Sequence, residues 1–327
     1  MKLTKALLTG CLVLTAGCTG FWALTHRQAA DHTVAVSAGH PNTVNVNAPV
    51  RTVGVDSSYT RMRRGIYYKN RVVVVTFHDM TTSHASHWSM TPSAFQADLD
   101  ALESNGFHVI SNRQFIGWLQ HRNSVPPNAV LLTFDDGYQS MYTEALPILL
   151  RHHMTGTFFV IVGRQDQHAP GFLSWGELKT MVHDGMTVAS HTYNSHYLVN
   201  VIGSNKQFPV FDTPILVNGK KETEYQTYLR DYADFRRARD ELQTRLGITV
   251  NEFAWPYGWG TDLARKAALA AGYSYIFTTF PSCVTPQTNR EAIPRIDIGY
   301  SNTTPQQAIQ DILRAAGAHV TVDGGKA

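Results

Sequence analysis

From about residue 70 onward, runs of β-branched and aromatic residues alternate with amphipathic stretches, and this alternation limits the folds open to the 327-residue chain more than any other feature. "RVVVVTF" (71–77) is a β-branched run of the kind that fills a strand buried on both faces. "TPSAFQADLDALESNG" (91–106) then carries Phe95, Leu99 and Leu102 at helical spacing, with Thr91 as N-cap, Pro92 in the first turn and Gly106 past the end. The pattern continues as strand "FHVIS", helix "NRQFIGWLQHR", strand "AVLLTF", helix "MYTEALPILLRHH", strand "GTFFVIVG", helix "SWGELKTMVHDG" and strand "MTVASHT". A long helix (224–247), strand "EFAWPYG", helix "TDLARKAALAAG", strands "YSYIFTT" and "AIPRIDI" and helix "TPQQAIQDILRAA" complete it. Such alternation predicts an α/β fold with parallel strands, open or closed into a barrel. A polar excursion from about 199 to 224 is too long for a simple connection and reads as a substrate-side flap or an ordered surface insertion.

In parallel α/β folds, sites form where strands end. His78-Asp79 follow Phe77, and Asp135-Asp136-Gly137 follow Phe134. "SHTYNSH" (190–196) follows Ala189, Pro256-Tyr257-Gly258 follow Trp255, and Arg295 and Asp297 lie in "IPRIDI". Acids and imidazoles thus gather at one rim. Two neutral imidazoles and a carboxylate can hold a divalent metal and leave a position for water. His191 and His196 are five residues apart, a spacing that suits a loop folded round an ion better than one helix face. Adjacent side chains on an extended strand point to opposite faces, so Asp135 and Asp136 must sit where the strand turns, which Gly137 permits. Each element has a bland reading as well. The chain holds 15 histidines, so two close together are not rare, and Asp-Asp-Gly alone is commonly a turn. The combination at strand ends is what favours a site.

The amino terminus reads as an export signal: Lys2 and Lys5, then the apolar "ALLTGCLVLTAG" (6–17). "LTAGC" resembles a bacterial lipobox, with Cys18 as the lipidated residue; an uncleaved membrane anchor over 6–24 is the competing reading. Either would place the rest of the chain outside the cytoplasm, at the outer face of a bacterial membrane or the cell surface. Residues 1–25 are therefore expected to be signal or anchor, 26–69 a flexible tether and 70–327 the catalytic domain. The remaining cysteine, Cys283, excludes a disulfide framework within that domain. A net charge of +3 without a dense basic block gives no case for nucleic acid, and a monomer is expected.

"TFDDGY" (133–138), "SHTYNSH" and "WPYG" (255–258) resemble the three leading motifs of the polysaccharide deacetylase family (NodB homology, carbohydrate esterase family 4), over roughly residues 70–315. The five-residue histidine step, the missing Arg before "WPYG" and an early "FHDM" (77–80) most resemble the subgroup that deacetylates poly-β-1,6-N-acetylglucosamine of biofilm exopolysaccharide. The resemblance implies a distorted (β/α)7 barrel, circularly permuted, with Asp136, His191 and His196 as metal ligands. It implies Asp135 as general base, His78 as general acid and the Tyr257 backbone N–H as an oxyanion donor. Trp255 and Tyr138 would contact substrate, and Arg295 or Asp297 would tune a catalytic group. The metal would be zinc, with cobalt or nickel also suited to nitrogen and oxygen donors. What steadies Asp135 without the motif-three Arg stays open.

The implied reaction is hydrolysis of an N-acetylated polysaccharide to acetate and a free amine. Peptidoglycan or chitin oligomers are alternative substrates, and a non-catalytic carbohydrate-binding matrix protein is an alternative class. A glycosidase is disfavoured, because adjacent aspartates do not span the ~5–9.5 Å between carboxylates that such enzymes use. Trp88, Trp118 and Trp175 read as packing residues, a sugar-facing role for one of Trp255 and Trp259, which flank the third motif, is evenly balanced against packing, and His84 and His87 are weak candidates to extend the metal site.

Overall fold

The computed structural model describes residues 65–82 and 86–318. The expected signal or anchor, Cys11, Cys18, most of the tether and His84 lie outside the described residues. Among the described residues no helix is long and apolar enough to cross a membrane.

In chain order the strands are β1 (Val72–Phe77), β2 (Asp79–Met80), β3 (Ser89–Met90), β4 (His108–Val109), β5 (Ala129–Asp136), β6 (Thr157–Val160) and β7 (Thr187–Ser190). They continue as β8 (Leu198–Asn200), β9 (Gln207–Pro209), β10 (Leu216–Val217), β11 (Lys220–Lys221), β12 (Glu252–Ala254), β13 (Tyr275–Phe277) and β14 (Ile296–Asp297). The helices are α1 (Pro92–Ser104), α2 (Asn112–Leu119), α3 (Leu146–Arg151), α4 (Gly163–Asp166), α5 (Trp175–His183), α6 (Glu224–Leu246), α7 (Asp262–Ala270) and α8 (Pro305–Ala315).

The main sheet runs β13-β12-β7-β6-β5-β1-β14, with β4 paired to the first residues of β5 and every pairing parallel. It curls, and its two ends approach at the single parallel bridge Phe277↔Ile293. β1 and β5 have strands on both sides and are buried along their whole length, as their unbroken apolar runs require. Phe77, Phe95, Phe134 and Phe158 pack ring on ring between β1, β5, β6 and α1.

Local chemistry starts the helices where the sequence indicates. Thr91 Oγ1 accepts the Ala94 N–H at the start of α1, and α5 and α6 open with reciprocal capping boxes at Ser174/Glu177 and Thr223/Gln226. One predicted helix is split. Met141–Ala145 forms a π-helical turn before α3, and Pro147, which has no N–H to give, lies where the two join.

Most expected strands are shorter in the structure, two of them down to a pair of residues. "FHVIS" pairs only over His108–Val109, and "AIPRIDI" only over Ile296–Asp297 apart from the Ile293 bridge. The folded body also begins earlier than residue 70. Tyr68 is buried, its hydroxyl donates to the Ala129 carbonyl, and the Tyr67 and Tyr68 N–H groups donate to Asn128 Oδ1. The 199–224 excursion is an ordered insertion of two small antiparallel ladders, β8–β9 and β10–β11, with a 3-10 turn between them.

Candidate active site

Asp135 and Asp136 are the last two residues of β5, and the turn begins at Asp136 itself, with φ +78°, before Gly137 at φ +81°. Gly137 is needed for space as well as conformation, since a Cβ there would lie 3.0 Å from Val160 Cβ. The turn sends the two carboxylates to different neighbours.

Asp136 faces the histidine loop. Its Oδ1 lies 3.1 Å from His196 Nε2 and 3.6 Å from His191 Nε2, and donor atoms of the three residues all lie within 4.8 Å of one another. His191 Nδ1 is 2.8 Å from the Ala254 carbonyl. A carbonyl only accepts, so Nδ1 carries the hydrogen and Nε2 turns its lone pair towards Asp136. Burial pushes the His191 imidazole down to about 4, which keeps it neutral at pH 7. Burial opposes charge on Asp136 too, but His196 and then His191 hold its carboxyl well below the usual carboxylate range. Asp136 Oδ1 is buried, and at 3.6 Å His191 Nε2 lies beyond hydrogen-bond reach of it. A buried carboxylate oxygen beside two imidazole nitrogens fits a divalent cation: the donors are of the right kind, of the right number and already convergent.

Asp135 faces the other way, into the sheet. Arg295, fully buried, donates from Nη1 to Oδ1 and from Nη2 to Oδ2, both at 2.8 Å. The guanidinium is itself held by the Thr278 carbonyl on Nε (3.1 Å) and Thr133 Oγ1 on Nη1 (3.3 Å). Burial alone would raise Asp135, but the Arg295 charge, then that of His191, keeps its carboxyl below the ordinary range. What steadies Asp135 is therefore Arg295, from the segment entering β14. The sequence offered it only as one of two tuning residues.

His78 follows β1, half-buried, and its charge is felt by Asp135, Asp136 and Asp297. Asp297 is raised by burial and drawn back by His78 and then Arg295; its Oδ1 is buried without a hydrogen bond. Tyr257 adopts φ +61°, and its ring lies 4.9 Å from that of His196. Tyr138 is half-buried and stacks on Phe172 at 5.2 Å; burial, then the Asp136 and Asp79 charges, raise its phenol. The structure brings Asp135, Asp136, His191, His196, His78 and Tyr257 to one rim, together with Arg295 and Asp297.

Trp255 is 2% exposed, stacked on Phe211 at 5.3 Å and packed against Phe235 and Phe253, so most of its ring is core; what remains lines a cavity shared with Trp259, Thr278 and Phe280. Trp259, 38% exposed and edge-on to Phe208 of the insertion, is the outward-facing tryptophan of that motif.

One supporting residue escaped the sequence reading. Asp234 on α6 accepts the Tyr193 N–H at Oδ1 (2.9 Å) and the Asn194 N–H at Oδ2 (2.8 Å), pinning the loop between the two histidines. Nothing about an acid in the middle of a charged helix marks it, because its partners lie about forty residues away. The pinned loop also carries Thr192 at φ +73°, so non-glycine residues in the left-handed region stand at the ends of β5, β7 and β12.

Residues 122–276 match the family model described as polysaccharide deacetylase. Over 262 residues the chain is 26% identical to the poly-beta-1,6-N-acetyl-D-glucosamine N-deacetylase of Escherichia coli (strain K12), an alignment that covers 75% of this chain and 39% of that protein. Among solved structures, the de-N-acetylase from Aggregatibacter actinomycetemcomitans is similar at TM-score 0.66 and 23% identity, covering 74% of this chain and 99% of that one. IcaB from Ammonifex degensii is similar at TM-score 0.60 and 28% identity, covering 75% of this chain and 97% of that one. The curled parallel sheet with flanking helices is the fold of these structures, and the resemblance drawn from the three motifs is borne out.

Proposed function

Starting from the polysaccharide deacetylase match over residues 122–276, we propose that this chain is an amide-cleaving hydrolase that deacetylates poly-β-1,6-N-acetyl-D-glucosamine. One observation carries the reading. A buried Asp-His-His donor set, Asp136, His191 and His196, adjoins a second carboxylate, Asp135, that Arg295 holds anionic and immobile. The substrate comes from the named relative, of which this chain spans 39%.

Asp136, His191 and His196 would hold the cation, zinc by donor type, with cobalt or nickel also suited. When bound, it would polarise the acetamide carbonyl and make a water more acidic. The other roles belong to the chain's own side chains. Asp135 takes a proton from the attacking water. Arg295 uses one lone pair on each of its oxygens and leaves the others for that water. The water oxygen bonds to the carbonyl carbon, and the C–N bond then breaks. His78 supplies the proton that the departing nitrogen needs. The Tyr257 backbone N–H would donate to the developing oxyanion, a reading its left-handed φ supports. Acetate and a free glucosamine are the products.

The test is amine release from acetylated β-1,6-glucosamine oligomers by the full chain with zinc, cobalt or nickel. Activity is expected to vanish on chelation and to return with metal. Folded, metal-loaded protein that released no amine would sink the reading. Release only from chitin or peptidoglycan oligomers would keep the chemistry and change the substrate.

A further inference from the structure

An exposed indole stands beside His78. Trp88 is 48% exposed, and its ring centroid lies 5.1 Å from that of His78. It is not a loose surface side chain. Tyr300 meets it at 5.3 Å and His87 edge-on at 5.4 Å, while His87 and Tyr300 stack on each other at 4.4 Å. The backbone is tied down as well. The Trp88 N–H donates to Ser86 Oγ and the Ser301 N–H to the His87 carbonyl. The next two residues form β3, which pairs with β2 directly after His78 in the register Asp79↔Ser89 and Met80↔Met90.

Leaving half of an indole in water forgoes burial energy that a core position would recover. Here the ring lies beside His78, and His87 and Tyr300 pack against it. A flat, rigid apolar face of this kind matches the C–H face of a pyranose ring and loses little conformational freedom when it binds.

We infer that Trp88 is a sugar-binding platform: it stacks on a pyranose ring of the N-acetylated polysaccharide beside His78 and gives the enzyme its preference for polymer over small acetylated compounds. This rests on the deacetylase reading above. Trp88 touches the sugar and not the reacting atoms, and His87 and Tyr300 are positioning residues that hold its ring. Its contribution therefore falls on KM and not on kcat.

The experiment compares wild type, Trp88→Ala and Trp88→Phe on two substrates: acetylated β-1,6-glucosamine oligomers and a small aryl acetate that needs only the metal centre. For Trp88→Ala the oligomer KM is expected to rise about tenfold with kcat within about twofold, as loss of one stacking contact would give. Trp88→Phe should recover most of the loss, and the aryl acetate rates should not move. An oligomer KM within twofold of wild type would overturn the proposal. So would an equal fall in kcat on both substrates, which would mean that Trp88 acts through His78. If wild type cleaves the aryl acetate but never the oligomer, the deacetylase reading fails instead. Trp88 is then judged by calorimetric binding of the oligomer to Asp135→Asn protein with and without Trp88→Ala, where equal affinity would overturn it.

Discussion

Asp135, at the rim of the sheet, and Asp98, on α1, are both buried carboxylates, and their pKa values move in opposite directions. Asp135 has two hydrogen bonds from Arg295 and stays below the usual carboxylate range in spite of its burial. Asp98 is 1% exposed, neither of its oxygens has a hydrogen-bond partner, and burial raises it to about 7. Burial raises the cost of charge at both positions. The partner alone decides whether the charge survives. The rim keeps ionised groups in a place the sheet would otherwise neutralise, which is what a base working at neutral pH requires.

The contrast can be broken most sharply at Asp135. Asp135→Asn keeps the shape and removes the proton acceptor. Amine release should fall by ~10²–10⁴-fold, while metal content, measured by elemental analysis, should be unchanged. Retained activity would take the base away from Asp135. Arg295→Met should turn Asp135 into a second Asp98. A buried carboxylate left without its partner costs about 3–5 kcal/mol, readable by urea unfolding. With Arg295 gone the Asp135 pKa rises, so the acid limb of the rate profile should move to higher pH. An unmoved acid limb would show that Arg295 does not set the charge of Asp135.

The opposite change applies to Asp98. Its folded-state pKa is raised from 3.8 to about 7, so the folded form binds the proton more tightly than the unfolded chain. Below about pH 4 both states are protonated and nothing is lost. Stability then declines as pH rises towards 7 and stays lower above it. Asp98→Asn should match wild type near pH 4 and exceed it at pH 8, by up to about 4 kcal/mol. Thermal unfolding across pH measures this, and a gain independent of pH would refute the neutral Asp98. Asp234 lies between the two cases: burial raises it in spite of the Tyr193 and Asn194 N–H groups that it accepts. Asp234→Ala should weaken zinc binding about tenfold, the low end for groups that orient metal ligands, as competition with a chelator would show.

Much of the architecture was legible in the sequence, because buried parallel strands and capped helices leave local traces. "VVVVTF", Thr91 and the Thr223/Gln226 box each report a structure formed within a few residues of themselves. The donor set was legible for the same reason, since Asp136 sits at a strand end and His191 and His196 share one loop. The contacts that make these groups function are long-range and leave no local trace. Arg295 reaches Asp135 across 160 positions, and Trp255 faces inward because Phe211, Phe235 and Phe253 surround it. Trp88 read as packing because exposure depends on which neighbours the chain brings up, and Tyr300 is more than two hundred positions away.

The left-handed residues at three strand ends, Asp136, Thr192 and Tyr257, bear on attempts to make the protein more heat-tolerant. Each holds a conformation that costs of order 1–3 kcal/mol, so glycine or asparagine at these positions would be among the easiest gains in melting temperature. At Asp136 the change would delete a member of the donor set, and at Thr192 and Tyr257 it would relax the segments beside it. A campaign selecting on heat resistance alone would be drawn to these sites and would return sturdier, slower protein. One that holds the three fixed and works on α1, beginning with Asp98, can raise stability without touching the rim.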